Sequence, residues 1–183
     1  MSILDLLGLR GRPPAGSELQ APSSDSDTIR RIVAALERLE PARASHIAGF
    51  AFILSRVANA DSRISPEETR EMERIVTSWG NLPEEQAVLV VQIAKHQNIL
   101  FGGTDNFIVT REFSRTATRE QKVELLHCLF AVSAADDSIS VVEETAAGQI
   151  GRELGLSREE QVAIRAAYRD KRAVMRMTRR LPT

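Results

Sequence analysis

A single cysteine, Cys128, can close no intramolecular disulfide and build no thiolate zinc site, so nothing marks an oxidising compartment and the expected location is the cytoplasm. Proline and glycine are scarce, seven and ten residues, which leaves little room for a low-complexity architecture. Charge of one sign is missing as well. With 24 Lys and Arg against 25 Asp and Glu, the whole surface does not suit duplex nucleic acid, which demands a clear cationic excess. No apolar run approaches the roughly 18 residues of a membrane-spanning helix. The opening Ile3-Leu4-Asp5-Leu6-Leu7-Gly8-Leu9 carries an Asp and has neither a basic flank nor a small-residue cleavage pattern, so it is not read as a signal peptide. Gly-rich phosphate loops, nucleophile elbows and paired Cys/His clusters are all lacking. What remains is 183 residues, 43% hydrophobic, enough for one globular domain with a sizeable core.

Residues 10–27 are dense in Pro, Gly, Ser and Asp, the composition of a flexible leader. The first nine residues read as a mobile terminus, with a short amphipathic helix as the alternative. From Asp27 onward apolar residues recur at helical spacing, and strand-like alternation is missing. The fold class is therefore all-α. Eight helices are expected, at about 28–40, 43–60, 66–79, 83–96, 104–116, 118–135, 141–154 and 157–174. Pro41 ends the first, Pro66 and Pro83 suit first helical positions, and Gly80 suits the residue past a C-terminus. The domain is assigned to residues 28–174, followed by a basic tail at 175–183.

Sliding the chain against itself by 75 residues gives twelve identities in the 37 positions from Leu54 to Val90, among them Asp61/Asp136, Ile64/Ile139, Ser65/Ser140, Glu68/Glu143 and Gly80/Gly155. Twelve matches are too many for chance. The same offset sets Ile32 on Phe107 and Val33 on Ile108. The expected architecture is thus a bundle of two tandem four-helix repeats, 28–97 and 104–174, packed about a pseudo-twofold axis.

Each repeat carries Ala-Asp-x-x-Ile-Ser-x-x-Glu at a corner between two helices, at residues 60–68 and 135–143. Ser65 with Glu68, and Ser140 with Glu143, spell capping boxes, which account for serine and glutamate without a ligand. The capping account leaves out direction. Asp61 prolongs the stripe Ile47, Phe50, Leu54, Val57, and Asp136 prolongs Leu125, Leu129, Val132. Glu68 and Glu143 prolong, read backwards, Trp79, Ile75, Met72 and Leu154, Ile150, Ala147. Carboxylates at a core edge are costly unless paired or coordinated, and no Lys or Arg recurs at matching positions. Asp61, Glu68, Asp136 and Glu143 are therefore the candidate ligands of one shared divalent cation, with Asp137 or Glu67 at its edge. Oxygen ligands alone suit Ca²⁺, Mg²⁺ or Mn²⁺. Two independent EF-hands are not expected, because the first ligand position of the loop is Val57 in one copy and Val132 in the other, and the third is Asn59 in one and Ala134 in the other.

The duplicated corner within a wholly helical domain resembles the TerB family of tellurite-resistance proteins and its relatives over about residues 28–172. That resemblance implies a non-enzymatic stress-response module that uses the acids for a divalent metal and works with protein partners, membrane-associated Ter proteins among them. It also implies a place in the cytoplasm or at the periphery of the inner membrane. The relatives include domains of J-domain co-chaperones, so the rival reading is a scaffold or co-chaperone-like interaction domain with a purely structural corner. The family usually has Gly after the Asp, where this chain has Ser62 and Asp137. A metal-dependent hydrolase would need a water-activating base and a cleft that the residues do not announce.

Glu124 and His127 form one Glu-x-x-His, which di-iron bundles use in pairs, and the register turns His127 away from the acidic stripe. His46 and His96 suit carbonyl partners or solvent. Cys128, Trp79 and Met72 read as core. The basic run from Arg169 to Arg180 reads first as a solvated helix end; the alternative is weak attachment to anionic lipid, acidic protein or nucleic acid.

Overall fold

The computed structural model describes residues 23–58, 65–96, 100, 106–135 and 141–179, with backbone alone at 23–26, 135, 141–144 and 169–179. Among the described residues the regular structure is eight helices: α1 (Ser23–Glu37), α2 (Pro41–Ala58), α3 (Pro66–Trp79), α4 (Glu84–Lys95), α5 (Asn106–Thr116), α6 (Arg119–Ala135), α7 (Val141–Glu153) and α8 (Arg158–Arg179). The all-α class is as expected, and most ends fall within two residues of their predicted places. Three do not. Helix α1 starts five residues early, inside the Ser/Asp segment read as leader, and stops at Glu37. Pro41 opens α2 rather than closing α1, with the Glu40 carboxylate accepting the Ala42 N–H at 3.0 Å. Helix α8 runs five residues past Val174, to Arg179, taking up most of the basic tail.

Helix α2 is the centre of the fold. Every residue from Ile47 to Ser55 is buried, because α1, α4, α5, α6 and α7 all pack against it. A helix enclosed on every side has no polar face, and its sequence is accordingly an apolar run rather than a stripe. Helix α6 is nearly as enclosed, with Leu125, Leu126, Cys128, Leu129, Phe130, Ala131 and Ser133 buried. The two buried serines bond within their own helices, Ser55 to the Phe52 carbonyl at 2.7 Å and Ser133 to that of Leu129 at 2.9 Å. Side-chain polar atoms in the described core all have partners, as low-dielectric burial requires.

Polar contacts set the directions of the outer helices. Arg119 meets Glu160 at 2.5 Å and His127 meets Tyr168 at 3.1 Å, both 41 residues apart, so α8 runs parallel to α6. Arg43 donates to Gln86 Oε1 at 2.8 Å, bringing the starts of α2 and α4 together. Lys95, at the end of α4, donates to Thr69 at the start of α3 at 3.0 Å, so these two run antiparallel. Helices α3 and α6 pack on each other, as do α2 and α7.

The first helices of the two sequence halves are not equivalent. Helix α1 packs on α2 and α4, whereas α5 packs on α2 and α7. Ile32 is buried and Phe107, set on it by the 75-residue offset, is 52% exposed. Between residues 28 and 53 the offset gives only two isolated identities, Glu37/Glu112 and Ala42/Ala117, so little compelled α1 and α5 to share a place.

Candidate metal centre

The first acidic corner opens α3. Ser65 sits in extended backbone, φ −68° and ψ 165°, and Pro66 follows it into the helix. The Ser65 hydroxyl accepts the Glu68 N–H at 3.2 Å, and Glu68 Oε2 accepts the Ser65 N–H. This is the expected capping box, and it joins two orphan donors to side-chain oxygens at the positive end of the helix. Thr69 donates to the Ser65 carbonyl at 2.7 Å and accepts from Lys95, which brings an ammonium group one residue along from Glu68. Glu68 itself is half-buried, at the edge of the core as its stripe foretells.

Asp61 and Asp136, with the peripheral candidate Asp137, lie outside the described residues, as does Ser140, the expected cap of α7. Glu143 occupies the third position of α7, where the described structure is backbone only. Glu67 is exposed at the second position of α3. Among the described residues no group of three or more His, Cys, Asp or Glu gathers in metal-ligating geometry.

Two further capping boxes escaped the sequence reading although the letters spell them. Thr118 and Gln121 close one at the start of α6, at 2.9 and 3.3 Å. Ser157 and Glu160 close another at α8, at 2.7 and 3.2 Å. Reciprocal capping is thus a device this chain uses at several helix starts, and Glu68 has a structural role whatever else it does.

Near the end of α2, Arg56 grips Glu153 at 2.6 and 3.3 Å and donates to Thr110 at 2.7 Å. Gln149 adds a bond to Glu153 at 3.0 Å. Burial pushes the Glu153 carboxyl up, but the hydrogen bond and charge of Arg56, with Gln149 and Thr110, outweigh it and hold it below its ordinary value. The clue was Arg56 itself, a cation interrupting an apolar helix. The repeat could not reveal it, because Arg56 falls opposite Ala131.

The other singled-out residues pack. Trp79 stacks on His127, ring centroids 5.4 Å apart and 14° from parallel, and meets the edge of Tyr168 at 5.6 Å. His127 Nδ1 pairs with the Tyr168 hydroxyl at 3.1 Å, an aromatic partner rather than a second Glu-x-x-His. Burial, then Glu124, pushes the Cys128 thiol up, so it is an unreactive core residue. His96 Nδ1 lies 2.8 Å from the Gln92 carbonyl, and His46 stands between the rings of Phe50 and Phe113.

A family model described as tellurite resistance protein TerB matches residues 46–166, about two-thirds of the chain, from within α2 to within α8. The chain belongs to the TerB family. The match takes in both acidic corners and leaves α1 and the last 17 residues of the sequence outside it. No curated protein and no solved structure matches this TerB chain. Among the described residues no helix is long and apolar enough to cross a membrane.

Proposed function

We propose that this TerB-family chain is a non-enzymatic stress-response module of the tellurite-resistance type, which holds one divalent cation between its two acidic corners and acts through protein partners. The observation that carries the reading is the exchange of helices across the corners. Helix α3, which follows the first corner, packs on α6, which precedes the second; α7, which follows the second, packs on α2, which precedes the first. Such an exchange accords with two related units, α2–α4 and α6–α8, about a pseudo-twofold axis. The axis would bring Asp61, Glu68, Asp136 and Glu143 to one end of the bundle.

The donor set fits the group. Capping engages one oxygen of Glu68, Oε2, and a carboxylate has two. Four carboxylates with no nitrogen or sulfur suit Ca²⁺, Mg²⁺ or Mn²⁺, whose double charge would offset part of the mutual repulsion of the acids. In this reading the cation ties the two halves together and makes the corner a metal-dependent surface for membrane-associated Ter-type partners on the cytoplasmic side. The scaffold reading draws on the same capping box, which satisfies Ser65 and Glu68 with no ion present.

Calorimetric titration of Ca²⁺, Mg²⁺ and Mn²⁺ into chelator-stripped protein separates the two. Saturable binding below millimolar concentration, lost in both Asp61→Asn and Asp136→Asn, supports the shared site. A folded protein indifferent to all three cations leaves the scaffold.

A further inference from the structure

Helix α8 is one continuous helix from Arg158 to Arg179, and its arginines fall in a single row. At about 100° per residue, positions 158, 161, 165, 169, 172, 176 and 179 share an arc of about 80°, and no other position of the helix enters it. Six of those seven are arginine, and Gln161 is the exception. All six arginines of the helix are in the row. Its three acids, Glu159, Glu160 and Asp170, occupy positions at least about 80° outside the arc. Ile164 and Tyr168, buried against the domain, mark the inward direction, and the row lies beside it, with Arg158 exposed and Arg165 half-buried. From first to last it spans about 31 Å.

The charge of the chain is divided accordingly. Helix α8 holds seven basic and three acidic residues, +4, leaving 17 and 22, or −5, for the rest. A near-neutral chain is therefore a dipole with a cationic edge. We infer that the α8 arginine row is a docking edge for an anionic membrane surface, binding lipid phosphates while the acidic body is turned away. A row along one continuous helix can follow a plane over its length, whereas a nucleic-acid duplex curves away from it outside one groove crossing. Guanidinium groups bind phosphate oxygens in pairs, and several together near an anionic leaflet give salt-sensitive attachment without an inserted segment. Four of the six arginines lie beyond residue 166, where the family match ends, so the edge is a property of this chain. The inference goes beyond the proposed cation site and does not rest on it.

The test is flotation of the full chain, in chelator, with phosphatidylcholine vesicles that contain or lack phosphatidylglycerol. The expected result is binding only to the anionic vesicles at low salt, reversed by added salt. Reversal of three row charges, R169E/R172E/R176E, is expected to weaken it at least about tenfold. Reversal of three exposed arginines elsewhere, R38E/R70E/R152E, changes net charge equally and is expected to weaken it far less. Circular dichroism checks the helix, and R169Q/R172Q/R176Q repeats the test should the reversal unfold it. Equal loss in the row and off-row variants, no preference for phosphatidylglycerol, or binding to single-stranded polyuridylate in place of vesicles would each overturn the proposal.

Discussion

Arg56 on α2 and Glu153 at the end of α7 form a two-pronged ion pair with both side chains nearly out of solvent, 13% and 10% exposed. Removing one partner strands the other in a low-dielectric site. Arg56→Ala or Glu153→Gln is therefore expected to lower unfolding stability by about 3 kcal/mol, whereas the apolar pair Arg56→Met/Glu153→Leu recovers most of the loss. Denaturant titration of the three variants checks this. The pair also confers acid sensitivity. Because the folded carboxyl lies below its ordinary 4.5, its contribution is present above pH 4.5 and is lost as pH falls through the folded value. Glu153→Gln removes that part of the decline.

His46 responds at a higher pH. Burial, with the rings of Phe50 and Phe113 at 6.0 and 5.2 Å, and then the charge of Arg43 push its imidazole down from 6.5 to about 4. The unfolded chain thus binds the proton first. Stability is full above pH 6.5 and declines towards pH 4, by up to roughly 3 kcal/mol. An NMR titration should find the His46 resonances shifting well below those of exposed histidine, and His46→Phe should flatten the stability profile between pH 6.5 and 4.

Helical periodicity sufficed for the class and for most boundaries, because proline, glycine and capping letters mark ends by local chemistry. It failed where local chemistry is not what decides. In α2 the stripe Ile47, Phe50, Leu54, Val57 is buried, but so are Ala48, Gly49, Ala51, Phe52 and Ile53 between its members. Prolonging that stripe to Asp61 therefore carries little information about direction, since a helix enclosed all round has no outward side to contrast. The Glu68 stripe lies on α3, whose exposed Arg74, Thr77 and Ser78 do provide the contrast, and Glu68 sits at the core edge as expected. The Arg56–Glu153 pair joins residues 97 apart that have no counterparts in the repeat, so neither spacing nor self-similarity could find it.

Gly80 and Gly155 align in the repeat but need glycine for different reasons. Gly155 has φ +74° and completes a Schellman turn, its N–H reaching the Arg152 carbonyl at 3.0 Å and that of Leu156 reaching Gly151 at 3.1 Å. Open space surrounds its missing Cβ. Gly80 has ordinary φ, −85°, but a Cβ there would stand 2.6 Å from the Val76 carbonyl oxygen, 3.1 Å from Phe50 and 3.3 Å from Cys128. Alanine is expected to cost about 1 kcal/mol at Gly155, from backbone strain, and about 2 kcal/mol at Gly80, from crowding. Asparagine distinguishes them, since it tolerates the left-handed region: it should restore much of the stability at 155 and worsen it at 80. Thermal denaturation of the four variants reads the pattern.

Glu68 is the residue at which the capping and ligand roles part. Ser65→Ala removes the acceptor of the Glu68 N–H and should cost about 1 kcal/mol in denaturant unfolding. Glu68→Gln keeps an oxygen that can accept the Ser65 N–H, so it should change stability without cation by less than about 0.5 kcal/mol. The same substitution removes a negative charge from the proposed ligand set. Cation affinity measured by calorimetry is then expected to fall at least about tenfold in Glu68→Gln and to change little in Ser65→Ala. A Glu68→Gln protein that keeps both its stability and its cation affinity would take Glu68 out of the ligand set and leave it a helix cap.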